Sequence, residues 1–296
     1  MITHRSVSPV SVIEIKVAAK INPFLQIVAE RADGYHDLSL IFQSVGIWDS
    51  LELSPSQEIS LLCDHPDLPT DRSNLALKAA YLLQEKFPGR GGVAIKLSKQ
   101  IPIGAGLGGG SADCAGVIVG LNHLWQLGLS REELQTLAGS LGSDTAFCVR
   151  GGTAWGRGRG EILTPLPTPD WWVVVCKHRD LSISTAWAYQ TYRAGRFILE
   201  PKTKTIDRWQ QPDQLDNDLE RAVLPHYPQI AELKRSLLEL GTLGALMSGS
   251  GAAVFAVVAD AGAGRKLVQQ IQAQFPTVDC WLTRTIGEGI IIGNRT

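Results

Sequence analysis

Pro102-Ile-Gly-Ala-Gly-Leu-Gly-Gly-Gly-Ser111 is the stretch on which the reading of this chain turns. It holds five glycines in seven positions, Gly104 to Gly110. Without side chains in the way, successive backbone N–H groups can converge on one point, and such a concavity holds an anion. Just upstream, Val93 to Leu97 alternates apolar and polar residues as a half-buried strand does. Ser111 is placed to cap a helix on which Ile118, Leu121 and Trp125 share a face, while Gly116 and Gly120 permit close packing. The positive end of that helix would add to the pull on a phosphate. A flexible linker is the plain alternative, but linkers seldom lie between an alternating strand and a capped helix.

Two other motifs compete with this reading. Gly104-x-Gly106-x-x-Gly109 satisfies the dinucleotide fingerprint, which would make the chain a nicotinamide-dependent oxidoreductase. That motif runs straight from strand to first glycine and carries an acid about twenty residues on. Here Pro102 intervenes, and Leu121 to Gln126 contains no acid. No G-x-x-x-x-G-K-[ST] occurs, which excludes a Walker-type loop. His178-Arg-Asp-Leu181 copies the start of a protein-kinase catalytic loop, yet Thr185 stands where the metal-binding asparagine belongs and no D-F-G follows.

Working outward, Val10 to Val17, Phe24 to Ala29, Leu38 to Ile47 and Ser50 to Ser54 read as strands, and Asn74 to Lys86 as a helix stopped by Pro88 and Gly89. Ser130-x-x-Glu133 is a capping box for a helix ending near Gly142. Pro165 to Pro169 marks a boundary near residue 165, giving an N-terminal domain over 1–165 and a second over 166–296. In the second, strands at Trp171–Cys176, Leu243–Met247, Ala252–Val258 and Val278–Thr283 alternate with helices at Thr185–Arg193, Gln229–Leu240 and Arg265–Phe275. That order approximates a ferredoxin-like domain with one extra helix.

A length of 296 residues with 44% hydrophobic content suits about two domains with cores of their own. The net charge of −1, from 28 basic and 29 acidic residues, gives no support for a nucleic-acid or membrane partner and favours a small molecule. Cys63, Cys114, Cys148, Cys176 and Cys280 are odd in number and widely spread, so free thiols in a reducing compartment are expected. Met1 to Val10 lacks the apolar core of a secretory signal, and no run approaches the roughly 20 apolar residues of a membrane span. A cytoplasmic location is the expectation.

Ala19-Lys-Ile-Asn22, the loop Pro102 to Ser111 and Ser248-Gly-Ser-Gly-Ala-Ala-Val-Phe255 together resemble the three signature segments of the GHMP kinases, in order and spacing. That superfamily includes galactokinase, homoserine kinase and mevalonate kinase. The resemblance implies an α+β fold of two domains, a mixed α/β nucleotide-binding domain followed by a ferredoxin-like substrate domain, and ATP-dependent phosphorylation of a small alcohol. Arg31-Ala-Asp-Gly-Tyr-His36, the run Gly104-Ala-Gly-Leu-Gly-Gly-Gly-Ser-Ala-Asp113, Gly142-Ser-Asp144 and Asn217-Asp-Leu-Glu220 are similar to one branch of it, whose acceptor is a cytidine diphosphate-linked methylerythritol. Ala18, Pro23 and Thr145-Ala146 depart from that branch's usual residues without altering a reactive side chain.

By the same resemblance Asp144 is the base and Lys20 the neighbouring cation that polarises the attacking hydroxyl. Pro102, Gly104, Gly106, Leu107, Gly108, Gly109, Gly110 and Ser111 would hold the ATP phosphates, with the Ser111 hydroxyl near Mg²⁺, for which no dedicated protein cage is expected. Asn74, and Lys99 through its backbone, would meet the adenine. Tyr35 and Tyr189 would sandwich the cytosine ring, His36 would bond its polar edge, and Asn22 would lie near the erythritol or its phosphates. Ser248 and Gly249 would face the substrate from across the cleft. Taken singly, each has a plainer reading: Lys20 a snorkelling lysine, Asp144 and His36 turn residues, Asn74 and Ser111 caps, Tyr189 core, Ser248 to Gly251 a tight turn. Another small-alcohol substrate, a nicotinamide-dependent oxidoreductase and a catalytically silent nucleotide binder are the competing functions.

Overall fold

The computed structural model describes residues 12–195, 197 and 209–295. It is built on one long antiparallel ribbon, β1 (Val12–Glu30) against β2 (His36–Ser56). Alternate residues Ile13, Ile15 and Val17 are at most 1% exposed and face the core with Leu51 and Leu53 of β2. Four short strands were expected where these two run. The interruptions are bulges: pairing shifts between Ala18 and Ala19 and between Ile21 and Phe24, the second at Asn22-Pro23, where proline has no N–H to give the ladder. The strand therefore bends without ending, and the bend carries Lys20 and Asn22. Val10 and Ser11, the start of the first expected strand, lie outside the described residues.

Around this ribbon the first sheet has eight strands among the described residues. β3 (Ser60–Cys63) and β4 (Gly92–Ser98) extend it beyond β2, while β5 (Thr153–Gly158) pairs on the other half of β2 and β6 (Ile162–Leu166) pairs with β5. α1 (Leu75–Lys86), α2 (Gly109–Leu124), α3 (Arg131–Leu141) and α4 (Ser143–Arg150) cover one face. The expected cap of α1 by Asn74 and the Ser130–Glu133 capping box of α3 are both present. The close approach expected at Gly116 and Gly120 is real: a Cβ at Gly120 would stand 2.3 Å from Ile15 and 2.4 Å from Leu53. α4 was not foreseen as a helix, since Gly142 reads as a stop, yet its extended backbone ends α3 and opens α4 at one residue.

The second sheet is antiparallel, ordered β11-β7-β10-β9 from β7 (Trp172–His178), β9 (Gly244–Met247), β10 (Val254–Val258) and β11 (Val278–Arg284). In chain order that is 4-1-3-2, the ferredoxin-like arrangement, with α7 (Pro228–Glu239) and α8 (Ala261–Gln274) as its crossover helices. α5 (Thr185–Ala194) is the expected extra helix, and the single turn α6 (Glu220–Val223) adds to it. Two segments return to the first sheet. β8 (Asp216–Asn217) pairs with Phe24 and Leu25, and β12 (Ile290–Arg295) lies along the start of β1. We propose the division near residue 165 for the bodies of the two domains, with β8 and β12 as strands that the second lends to the first. All five cysteines are free.

Candidate active site

A cleft of about 820 Å³ opens beside the bend of β1, a volume suited to a small ligand. Its walls come from β1, β2, the glycine loop, the starts of α2, α4 and α5, and Gly249-Ser250.

The glycine loop forms one end. Ser111 does not cap α2. The helix begins at Gly109, and its N-cap is Gly108 in left-handed backbone (φ 72°), with no side chain bonded to the first-turn N–H groups. Those donors are left for a ligand, as phosphate binding at a helix end requires. Ser111 sits in that first turn, half-buried and lining the cleft. The loop is pinned from behind by the second domain: Ala252 N–H donates to Gly104 O (3.2 Å) and Ala253 N–H to Ala105 O (3.1 Å). A side chain at Gly106, which also has positive φ (72°), would place its Cβ 2.0 Å from the Ser248 carbonyl.

This contact corrects the expectation for Ser248. Its side chain is fully buried, and its hydroxyl donates to Gly106 O at 3.0 Å, so it holds the phosphate loop and does not face the cleft. Gly249 and Ser250 do line the cleft. The quoted segment Asn217–Glu220 is explained by the same packing. The Asn217 amide donates to Met247 O and Gly249 O, and Glu220 accepts from Met247 N–H, so the segment anchors the glycine turn.

At the floor, the bend of β1 turns Lys20 inward, where it is 4% exposed. Its backbone N–H donates to Leu107 O (2.9 Å), tying the strand to the glycine loop. Its ammonium donates to Asn22 Oδ1 (2.7 Å) and pairs with Asp144 Oδ2 (3.2 Å). Asn22 is held in turn by Ile41 O (3.1 Å), so it orients the lysine. Asp144 lies in the first turn of α4, where the helix dipole favours a carboxylate, and its side chain keeps 35% exposure toward the cleft. The snorkelling and turn readings of these two residues do not fit: neither faces bulk solvent, and each is the other's partner.

Two expected adenine contacts are engaged elsewhere. The Asn74 amide accepts from Ala76 N–H and donates to Pro69 O, as a cap does. Lys99 gives its backbone N–H to Asp64 (3.0 Å) and its ammonium to both Asp49 and Asp113. Both residues still line the cleft. Burial alone would lower the Lys99 pKa, but the two carboxylates outweigh it and the net shift is upward. Burial pushes Asp113 up to about 7, against the pull of Lys99 and with the push of Asp49. Its Oδ1 is buried without a hydrogen-bond partner among the described residues.

The acceptor end is built from side chains. His36, 5% exposed, stacks on Tyr189 with ring centroids 5.4 Å apart, and its buried Nε2 has no partner among the described residues. Burial, with Arg193 nearby, lowers its pKa and keeps the ring neutral. Tyr189 is half-buried and lines the cleft, while its helical neighbour Tyr192 is the core residue. Burial, then the charge of Asp144, pushes the Tyr189 phenol upward. Tyr35 stands 55% exposed at the rim with the Arg159 guanidinium over its ring at 5.1 Å. Sequence reasoning missed Arg159, Gln190 and Arg193 on this wall and gave no role to Asp113, which ends the quoted run Gly104 to Asp113. Asp113 was findable, since helical spacing sets it over Gly109. The two arginines carry no such signal, as they come from the β5–β6 turn and the end of α5.

A glycine-rich loop opening a helix, a lysine–carboxylate pair on the cleft floor and a ferredoxin-like second domain together suit a small-molecule kinase, and the comparisons agree. The model for the GHMP kinases N terminal domain matches residues 74–152 and that for the GHMP kinases C terminal matches 202–277; the chain belongs to the GHMP kinases. Among its relatives, it is 45% identical to the 4-diphosphocytidyl-2-C-methyl-D-erythritol kinase of Acaryochloris marina, over 90% of this chain and 93% of that one. It is 46% identical to the same-named enzyme of Thermosynechococcus vestitus, over 92% and 96%. A crystal structure of 4-(cytidine 5'-diphospho)-2C-methyl-D-erythritol kinase superimposes with a TM-score of 0.78 at 33% identity, covering 93% of this chain and all of that one. The homoserine kinase of Cytophaga hutchinsonii shares the fold at 20% identity and a TM-score of 0.68. The dinucleotide reading of Gly104 to Gly109 does not survive: β4 lies in an antiparallel-rich sheet and ten residues, 99–108, separate it from α2.

Proposed function

We propose that this chain transfers the γ-phosphoryl group of ATP to the 2-hydroxyl of 4-diphosphocytidyl-2-C-methyl-D-erythritol, a step of non-mevalonate isoprenoid precursor synthesis. The observation that carries the chemistry is the Lys20–Asp144 pair, 3.2 Å apart on the floor between a backbone anion site and an aromatic acceptor wall. The relatives' names and the unpartnered His36 Nε2 support the acceptor.

In this reading the first-turn N–H groups of α2 and the loop hold the triphosphate with its outer phosphorus toward the floor. Asp144 accepts the proton of the acceptor hydroxyl as its oxygen attacks. The new O–P bond forms while the bond to the β-phosphate oxygen breaks, and ADP leaves with that electron pair. Lys20, 3.2 Å from Asp144, lowers the energy of the alkoxide-like oxygen as it forms. Asn22 keeps the ammonium aimed. Tyr189 and His36 give the base a stacking surface and a polar atom to satisfy.

Mg²⁺ fits this end of the cleft: the Ser111 hydroxyl and Asp113 Oδ1, which has no hydrogen-bond partner among the described residues, share the first turns of α2. Bound mostly through ATP oxygens, with Ser111 nearby, it would neutralise phosphate charge. No helix among the described residues is long and apolar enough to cross a membrane, and the free thiols support a reducing cytoplasm as the site of reaction.

The test is ATP consumption with diphosphocytidyl-methylerythritol, mevalonate and homoserine offered separately. Turnover of the first alone is expected. Equal turnover of mevalonate or homoserine would overturn the acceptor assignment while leaving the kinase class intact.

A further inference from the structure

Four cations line the cleft: Lys20, Lys99, Arg159 and Arg193. Three are already engaged. Lys20 holds Asn22 and Asp144, and Lys99 holds Asp49 and Asp113. Arg193 donates to Gly34 O at 2.6 Å and faces Glu30 at 3.8 Å. Arg159 differs. Its guanidinium makes no hydrogen bond among the described residues, and Glu161 stands 4.0 Å away with a carboxylate oxygen already accepting from the Arg159 backbone N–H. Asp33 feels its charge but is bonded by Arg31.

Arg159 is nevertheless held in place. It leaves the β5–β6 turn between Gly158 and Gly160, and its guanidinium carbon lies 5.1 Å from the centre of the Tyr35 ring, a cation–π contact that uses none of its N–H donors. A planar fork of unused donors beside an aromatic platform matches a ligand that joins a flat ring to phosphate groups.

We propose that Arg159 is the binding residue for the acceptor's diphosphate, gripping its oxygens through the guanidinium edge while Tyr35 keeps that edge aimed into the cleft. The inference rests on the cytidine diphosphate acceptor proposed above. An anionic ligand must be neutralised on entering the cleft, and Arg159 is the described cation there whose donors are free.

Binding of CDP, CMP and cytidine to the whole chain, by calorimetry, separates phosphate from base. Wild type should bind CDP more tightly than cytidine. In Arg159→Met the affinity for CDP should fall on the order of 10-fold, that for cytidine should hardly change, and Arg159→Lys should restore part of the loss. The KM for ATP should stay as in wild type. An equal loss for all three ligands would assign Arg159 to the base edge and overturn the proposal, as would no loss at all. If wild type bound none of the three while ATP still raised its Tm, the acceptor reading itself would fail. Arg159 is 35% exposed and touches only Tyr35 and Glu161 among the contacts above, so the variants should fold, and their Tm checks it.

Discussion

The two ends of the cleft are made of different material. The phosphate end is backbone: glycines at positive φ, N–H groups of a helix start, and carbonyls clamped by Ala252, Ala253 and Ser248 of the second domain. The acceptor end is side chain: Tyr35, His36, Arg159, Tyr189 and Arg193, drawn from three elements and partly exposed. A backbone site tolerates almost no change in its residues, because each carries the conformation of its neighbours. A side-chain site can be altered one group at a time, and substrate choice can be placed there without disturbing the grip on ATP.

That contrast can be broken by substitution. The largest effect is expected beneath the phosphate end, where Lys99→Met leaves Asp49 and Asp113 buried together without their shared cation, a loss of about 3–5 kcal/mol. Urea unfolding measures it, and Asp113→Asn in the same chain should recover part. A small change in midpoint would mean that the two acids are not coupled through Lys99. Next, Asp144→Asn at the junction of the two ends should lower kcat by about 10²-fold or more with the KM for ATP nearly unchanged. Wild-type turnover would remove Asp144 from the mechanism.

The third comparison uses one residue type at both ends. Gly106→Ala meets a carbonyl at 2.0 Å on top of its left-handed backbone, and should cost about 2 kcal/mol or more and weaken ATP binding. Gly34→Ala, with φ 86° but open space around it, should cost only about 1 kcal/mol, the left-handed strain alone. Equal losses would erase the distinction. The smallest effect concerns His36. Its lowered pKa keeps the ring neutral as pH falls, so acceptor KM should stay flat from pH 8 down to about 6.5, the ordinary histidine value, and rise below it as the ring charges. A rise already above that pH would show the ring is not desolvated.

Legibility in the sequence followed the same division. Glycine spacing and the segment Ala19–Asn22 announced the phosphate loop and the lysine strand, and the order of elements announced the ferredoxin-like sheet. What failed was local detail decided by distant partners. Serine at a helix start usually caps it, but Gly108 turns the chain so that the helix opens at Gly109, three residues earlier than a cap at Ser111 would give. Ser248 was read as facing substrate because nothing nearby in sequence shows that Gly106 comes within reach of its hydroxyl. Lys99 was assigned by its backbone, and its ammonium proved to be the occupied group because Asp49, fifty residues away, is brought beneath it.

By itself the amino-acid order determined the glycine-rich loop and the strands and helices of the two sheets, which rest on short-range terms: which residues permit positive φ, which alternate, which cap. The pairing of Lys20 with Asp144 was implied only by the family resemblance. Only the tertiary structure decided which donors remain open. A hydrogen bond is filled or left free by whatever group the fold carries to within about 3 Å of it, and for Gly106 O that group is the Ser248 hydroxyl, 142 residues away.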